Sequence, residues 1–350
     1  VAWHFGDPFG EQRAAATSAV VIDRSHRSVI AVTGTERLSW LNTISSQFVT
    51  DLADGRSAEN LSLDGNGRIE DHFVQTDLDG TTWIDTEGGR GEALAGFLTK
   101  MIFWAQVEVA SRPDMAVLSL LGPATRGGAV AQLLDIPATA SIYDAGPLAD
   151  GGFWRIMPAL GEHAAVEAID LVIPADQLST WWSSLTSVGV RPAGSWAYEA
   201  LRVASLRPRL GVDTDDRAIP HEVNWIGSPA ELGAVHLNKG CYRGQETVAR
   251  VHNLGKPPRQ LLLLHLDGSA DTRPVTGDPV NAGGRVVGRI GTVVDHFEYG
   301  PIALALIKRG VPADTALEAG GASAAIDPTS VPADNRVQAG RAAIEKLRGR

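Results

Sequence analysis

Apolar positions recur along this chain at two spacings, and neither one dominates. Loose alternation over residues 20–32 predicts two strands about a turn near Arg24 and Arg27. Thr35 then reads as the N-cap of a helix whose Leu38, Leu41, Ile44 and Phe48 share a face. A polar, Gly-rich stretch over residues 62–70 leads into a strand at 69–76, and Asp79-Gly80 turns the chain into a second strand near 83–85. Leu94, Phe97, Leu98 and Met101 mark one amphipathic helix, and Leu178, Trp181, Trp182 and Leu185 mark another. Residues 168–174 are strand-like. A further helix runs from an N-cap at Ser195 to about Leu206, because Arg207 precedes Pro208 and is turned away from helical angles.

Texture changes after Gly255. Lys256-Pro257-Pro258 is a stiff connector, and short β-like runs follow at 261–266, 280–281, 286–290, 292–294 and 302–307. That spacing predicts a small barrel or sandwich. Gly283-Gly284 and the glycines at 288 and 291 are read as hairpin turns and barrel bends, since no helix pattern follows them as a dinucleotide site requires. In the Ala- and Arg-rich tail, Asp334 caps a predicted helix with Val337, Ile344 and Leu347 on one face.

At 350 residues the chain exceeds what one core usually fills, so two or three domains are expected. A hydrophobic fraction of 44% and a charged fraction of 21% describe an ordinary globular protein. The net charge of -10 argues against stable nucleic-acid binding. The apolar runs are too short to span a bilayer, the first ten residues lack signal-peptide character, and a single cysteine fits a reducing compartment. The expectation is a cytoplasmic protein with no membrane partner.

Several chemistries are excluded. The histidines are scattered without ligand spacing, so no metal centre is expected. One cysteine cannot hold an iron–sulfur cluster alone, and neither a G-x-S-x-G elbow nor a P-loop is present. What stands out is Lys239-Gly240-Cys241-Tyr242-Arg243-Gly244-Gln245-Glu246, a lone thiol between two cations and two glycines. Nearby positive charge favours a reactive thiolate. Glu70-Asp71 meets a predicted strand, where only one of two adjacent side chains faces a given pocket. Asp213, Asp215 and Asp216 read as a turn, with Glu222 as a pocket group beyond it.

In order and in motif these pieces resemble the folate-binding superfamily of the glycine cleavage T-protein, an aminomethyltransferase. Within it, the cysteine octapeptide looks like the signature of the YgfZ branch. Residues 61–74 resemble the family segment ending in a paired acid, residues 202–222 its helix, G-x-D loop and I-P-x-E stretch, and residues 257–326 its C-terminal barrel. The resemblance implies an α+β fold: a three-domain ring of two mixed α/β folate-binding subdomains over 1–256, a small β-barrel over 257–327, and a helical tail over 328–350. Tetrahydrofolate, the implied cofactor, occupies the central opening of such rings, with the octapeptide beside it and its basic residues toward the folate tail.

The resemblance places chemistry on Cys241, Lys239 and Asp71. It places folate contacts on Asp71, Arg202, Glu222, Tyr242, Arg243, Gly244, Gln245 and Glu246. T-proteins are expected to hold the pterin with a Glu where this chain has Ala204. The YgfZ branch implies a folate-dependent accessory role toward iron–sulfur enzymes and their assembly factors, including enzymes that modify tRNA. The competing readings are a folate-dependent aminomethyltransferase and a scaffold that only binds proteins.

Overall fold

The computed structural model describes residues 1–161 and 165–332. Helix α1 (Pro8–Thr17) is capped by Asp7, whose carboxylate accepts from Gly10 N–H at 2.8 Å, with Pro8 in the first turn. Strands β1 (Val20–Asp23) and β2 (Ser28–Thr33) precede helix α2 (Arg37–Ile44). Next come β3 (Arg56–Leu63), β4 (Ile69–Leu78), β5 (Thr81–Thr86), helix α3 (Gly91–Lys100), β6 (Glu108–Ser111) and β7 (Met115–Leu121). Helix α4 (Gly128–Leu134) leads to β8 (Ala145–Pro147), β9 (Phe153–Leu160) and β10 (Val166–Pro174), then to α5 (Leu178–Ser187), β11 (Arg191–Ala193), α6 (Ser195–Ala204) and α7 (Gln245–Leu254). Strands β12 (Arg259–Leu266), β13 (Pro279–Ala282), β14 (Arg285–His296), β15 (Gly300–Lys308), β16 (Leu317–Ala319) and β17 (Ala322–Ile326) follow.

Three assemblies result. One sheet has the order β11-β1-β7-β10-β9-β8, a second has the order β3-β4-β5-β2-β6, and β12 to β17 close into a barrel. The architecture is α+β, as the resemblance implied. The segment 20–32 departs from expectation. Its two strands do not form a hairpin: β1 pairs with β7 and β11 in the first sheet, and β2 with β5 and β6 in the second. The intervening arginines are therefore carried across the seam between sheets, where Arg24 and Arg27 are buried.

Other boundaries also shift. Glu36, not Thr35, occupies the N-cap of α2, and that helix ends before Phe48, which is exposed. Gly194, not Ser195, caps α6. The runs at 286–290 and 292–294 are one strand, interrupted by a register shift between Ile290 and Val293. Gly283 and Gly284, both at positive φ, turn β13 into β14. The predicted tail helix lies outside the described residues. Among the described residues, no helix is long and apolar enough to cross a membrane.

The barrel explains why the leucine run at 261–264 does not alternate. Leu262 and Leu264 fill the barrel with Ile290, Ala303, Ala305 and Ile307. Leu261 and Leu263, on the other face, pack with Leu61, Val223, Trp225 and Val248 from the N-terminal region. A strand buried on both sides reads as continuous apolar sequence. Each such leucine contributes about 1.5–3 kcal/mol through burial.

One arginine joins the two sheets. Arg155 on β9 is 1% exposed; its guanidinium meets Asp85 on β5 at 2.6 Å and Asp170 on β10 at 2.9 Å. Arg155→Met leaves two buried carboxylates without their shared cation, and the expected loss is about 3–5 kcal/mol. Guanidinium denaturation reads it; a loss below about 1 kcal/mol would show that the seam holds by apolar packing alone.

Candidate functional site

Where the sheets and α6 meet, they leave a cavity of about 360 Å³. Its wall takes Glu59 from β3, His72 and Val74 from β4, Arg155 and Met157 from β9, and Asp170 from β10. Tyr198, Glu199 and Arg202 enter from α6, Arg207 and Arg209 from the loop beyond it, and Trp3 and Trp225 add flat apolar surface. Strand periodicity selects these residues. On β3 and β4 the side chains of Glu59, His72 and Val74 line the cavity, while Ala58 and Phe73 point into the core behind.

Charge in this wall is paired almost throughout. Arg27 meets Asp85 at 2.6 Å and Glu87 at 2.7 Å, and Arg155 joins Asp85 to Asp170. Arg24 reaches Asp170 at 3.6 Å and lies 3.9 Å from the centre of the Tyr198 ring. Arg202 binds Glu199, Asp213 at 2.7 Å and Thr292 of the barrel at 2.6 Å; Arg209 takes the other Glu199 oxygen at 3.0 Å. Arg207 pairs with Glu59. Burial alone would raise Glu59, but Arg207, with His72 and Tyr143, holds it well below the usual carboxylate range. Six arginines of the wall are thus set against six carboxylates, of which Glu59, Glu87, Asp170 and Glu199 line the cavity and Asp85 and Asp213 stand behind it, and the network as a whole balances its charge.

A second, open groove of about 690 Å³ shares strand β4 with the cavity wall. Glu70 and Asp71 line it, together with Leu210, Gly211, Asp215 and Arg289. The register shift between Ser62 and Leu63 inserts an extra residue on β4 here, a bulge that re-aims the acidic pair. Asp71 is 4% exposed and accepts from Arg90 at 2.7 and 3.1 Å. Burial pushes its carboxyl up, against the pull of Arg90. Glu70 is half-buried and pairs with Arg243 at 2.8 Å. Arg68 also lines the groove, and Arg289 spends one guanidinium nitrogen on the carbonyl of Val212 at 2.9 Å.

The octapeptide docks on the hairpin between β3 and β4. Gly244, at φ +85, caps α7, and a Cβ there would stand 2.6 Å from the Asp64 carbonyl and 2.9 Å from Gly67 Cα. Gly67, at φ +76, has Thr247 just as close. Two glycines back to back therefore allow a backbone approach that side chains would block. Gln245 folds back to accept from Tyr242 N–H at 2.9 Å.

This placement corrects several expectations. Cys241 is exposed, and it belongs to the wall of neither the central cavity nor the groove. Its flanking cations turn away from the sulfur: Lys239 Nζ donates to the carbonyls of Asn42, Ser45 and Gln47, whereas Arg243 pairs with Glu70 and lines the groove, where the resemblance placed a cation. Burial lowers Lys239 to about 8 and raises Tyr242 to about 12. Tyr242, Gly244 and Gln245 build the loop, and Glu246 is exposed on the first turn of α7, so none of them reaches the cavity. Glu222 is buried beneath the barrel, bonded to Arg259 at 2.8 Å, and is not a pocket group. Arg202 does stand in the cavity wall, although its guanidinium is consumed by Glu199, Asp213 and Thr292.

Asp213 is more than a turn, since it anchors Arg202 and accepts from the Thr292 N–H at 2.7 Å. Ala204 packs half-buried against the core shared with the barrel. Sequence reasoning missed Glu59, His72, Tyr198, Glu199, Arg207 and Trp225. The available signal was slight: His72 stands beside Phe73 and Val74 in the predicted strand over 69–76, while Glu59, between Ala58 and Asn60, falls in no pattern.

The fold matches that of the crystal structure of glycine cleavage system aminomethyltransferase T from Bartonella henselae, with a TM-score of 0.76 over 92% of this chain and 89% of that one. At 18% identity this likeness speaks for fold. Among curated relatives, the aminomethyltransferase of Pseudomonas syringae pv. tomato is 27% identical over 231 residues, which is 65% of this chain and 63% of that protein. The aminomethyltransferase of Alcanivorax borkumensis is 25% identical over 226 residues, 63% of this chain and 61% of that protein. The aligned region thus spans less than two thirds of either relative. A family model, the GCVT N-terminal domain, matches residues 9–226, more than half of the chain. This protein belongs to that family.

Two predictions follow from the site's packing. Gly244→Ala should cost about 1–3 kcal/mol through strain and contact, whereas Gly240→Ala, whose added carbon meets open space, should stay within about 0.5 kcal/mol. Equal melting of the two variants would refute the docking role. Asp71, with its folded-state titration raised, costs stability above that titration, and the cost fades as pH falls toward the ordinary carboxylate range. Asp71→Asn, permanently neutral, should therefore be at least as stable as wild type at pH 7 and lose that margin in acid; urea melts against pH decide it.

Proposed function

We propose that this protein binds a reduced folate, with its flat heterocyclic head in the central cavity and its acidic tail toward the open groove, and serves one-carbon transfer of the aminomethyltransferase type. One observation carries this reading. The cavity is walled by rings (Trp3, Tyr198, and His72 stacked on Trp225) and by charges that are paired, which suits a neutral, polar, planar group. Each arginine there already has a carboxylate partner, so an anionic head would have to displace one. Arg68 and Arg289 in the groove are the cations best placed for a carboxylate tail. Tetrahydrofolate, when bound, supplies the nitrogen that takes up the one-carbon unit. The chain's own residues bind and orient: His72–Trp225 supplies a flat face, and the paired arginines keep the walls apart. Glu199 cannot grip the head with both oxygens, because Arg202 and Arg209 hold them, and Ala204 offers no substitute. Recognition here differs from that expected of T-proteins.

The exposure of Cys241 on a loop fixed by two glycines favours a second reading. In it, the thiol supports iron–sulfur enzymes, including those that modify tRNA, as in the YgfZ branch. The two roles occupy different surfaces, so they separate experimentally. Calorimetric titration with tetrahydrofolate should give saturable heat for wild type and for Cys241→Ala alike, since residue 241 lies outside the cavity wall. Absence of saturable heat in the wild type would sink the folate reading. Full restoration of iron–sulfur enzyme activity by Cys241→Ala in a deletion strain would sink the thiol reading.

A further inference from the structure

Within the cavity wall, His72 and Glu59 are arranged as a proton-transfer couple. The His72 ring lies flat on Trp225, with ring centres 4.4 Å apart and planes 2° apart. Its Nε2 stands 2.9 Å from Glu59 Oε2, and Tyr143 donates to the other Glu59 oxygen at 2.9 Å. Glu59 is 1% exposed and is also paired with Arg207. An anionic acceptor opposite Nε2 fixes the ring proton on that nitrogen. Nδ1 then keeps its lone pair. His72 lines the cavity, and among the described residues its Nδ1 has no hydrogen-bond partner. A histidine needed only to satisfy a buried carboxylate has no reason to present its second nitrogen to a cavity.

We propose that His72 is a catalytic proton acceptor and donor of the central cavity, positioned by Glu59, for a flat heterocycle that carries an exchangeable N–H. In the forward step the ligand N–H bond breaks, the proton moves to Nδ1, and the electron pair stays on the ligand nitrogen; the reverse step returns it. The imidazolium so formed donates Nε2–H to Glu59, and Arg207 keeps that carboxylate charged, so the proton goes no further. The Asp71–Arg90 pair lines the groove instead, so the cavity has no competing free carboxylate from the acidic pair. That the heterocycle is a folate rests on the reading above; the geometry of the couple does not.

The test is nitrogen-15 NMR of the full chain with labelled histidine at pH 8, the His72 signals being assigned by their loss in His72→Gln. The expected spectrum shows a protonated Nε2 and an unprotonated Nδ1, and the Nδ1 resonance moves on addition of tetrahydrofolate. Glu59→Gln should convert the fixed tautomer to a mixture, an effect that loss of packing alone would not give. At saturating tetrahydrofolate, where any loss of ring contact is compensated, His72→Gln should lose about 100-fold or more of kcat for one-carbon transfer. A proton on Nδ1 in the free wild type, or wild-type turnover in His72→Gln, overturns the proposal. A fixed Nε2–H tautomer with no response to tetrahydrofolate removes the folate as ligand and leaves the couple in place.

Discussion

Buried arginine–carboxylate pairing keeps this fold open at its centre. Taking an ion out of water costs several kcal/mol even after relaxation, and the cost is offset only where partners and hydrogen bonds are complete. Here Arg24, Arg27, Arg155, Arg202, Arg207 and Arg209 are set against Glu59, Asp85, Glu87, Asp170, Glu199 and Asp213, drawn from both sheets, α6 and the loops around it. Long, ion-paired side chains cannot collapse as leucines do. The network therefore fixes the separation of the sheets and, through Thr292, ties in the barrel.

The same pairing decides what the centre suits. An ion-paired wall offers donors, acceptors and ring faces but no spare charge, so it favours a neutral heterocycle over an anion. Available cations lie outside, in the groove. The thiol lies elsewhere again, exposed on a loop that Gly67 and Gly244 press onto the β3–β4 hairpin. Ligand chemistry and thiol chemistry are thus separated in space, linked by the β4 segment that carries Glu70 and Asp71 into the groove and His72 into the cavity.

Local signals were legible where one interaction sets the element. The barrel strands, the Gly283-Gly284 turn and the amphipathic helices α3 and α5 could be read from spacing, because burial on one face writes itself into sequence. The 20–32 segment could not, because whether two successive strands pair with each other or with distant partners depends on contacts to β7 and β5. The octapeptide was conspicuous for its rarity, yet its cations serve backbone carbonyls and Glu70, and sequence adjacency gave no hint of that. Glu59 and His72 come from neighbouring strands, and their pairing appears only once the β3–β4 register is known.

The most direct test of a central heterocycle site is a crystal structure of the protein grown with tetrahydrofolate. The account predicts ring density inside the cavity against the His72–Trp225 stack, with the tail leaving toward Arg68 and Arg289. Ring density confined to the outer groove or the Cys241 loop, with the cavity holding only water, would contradict it.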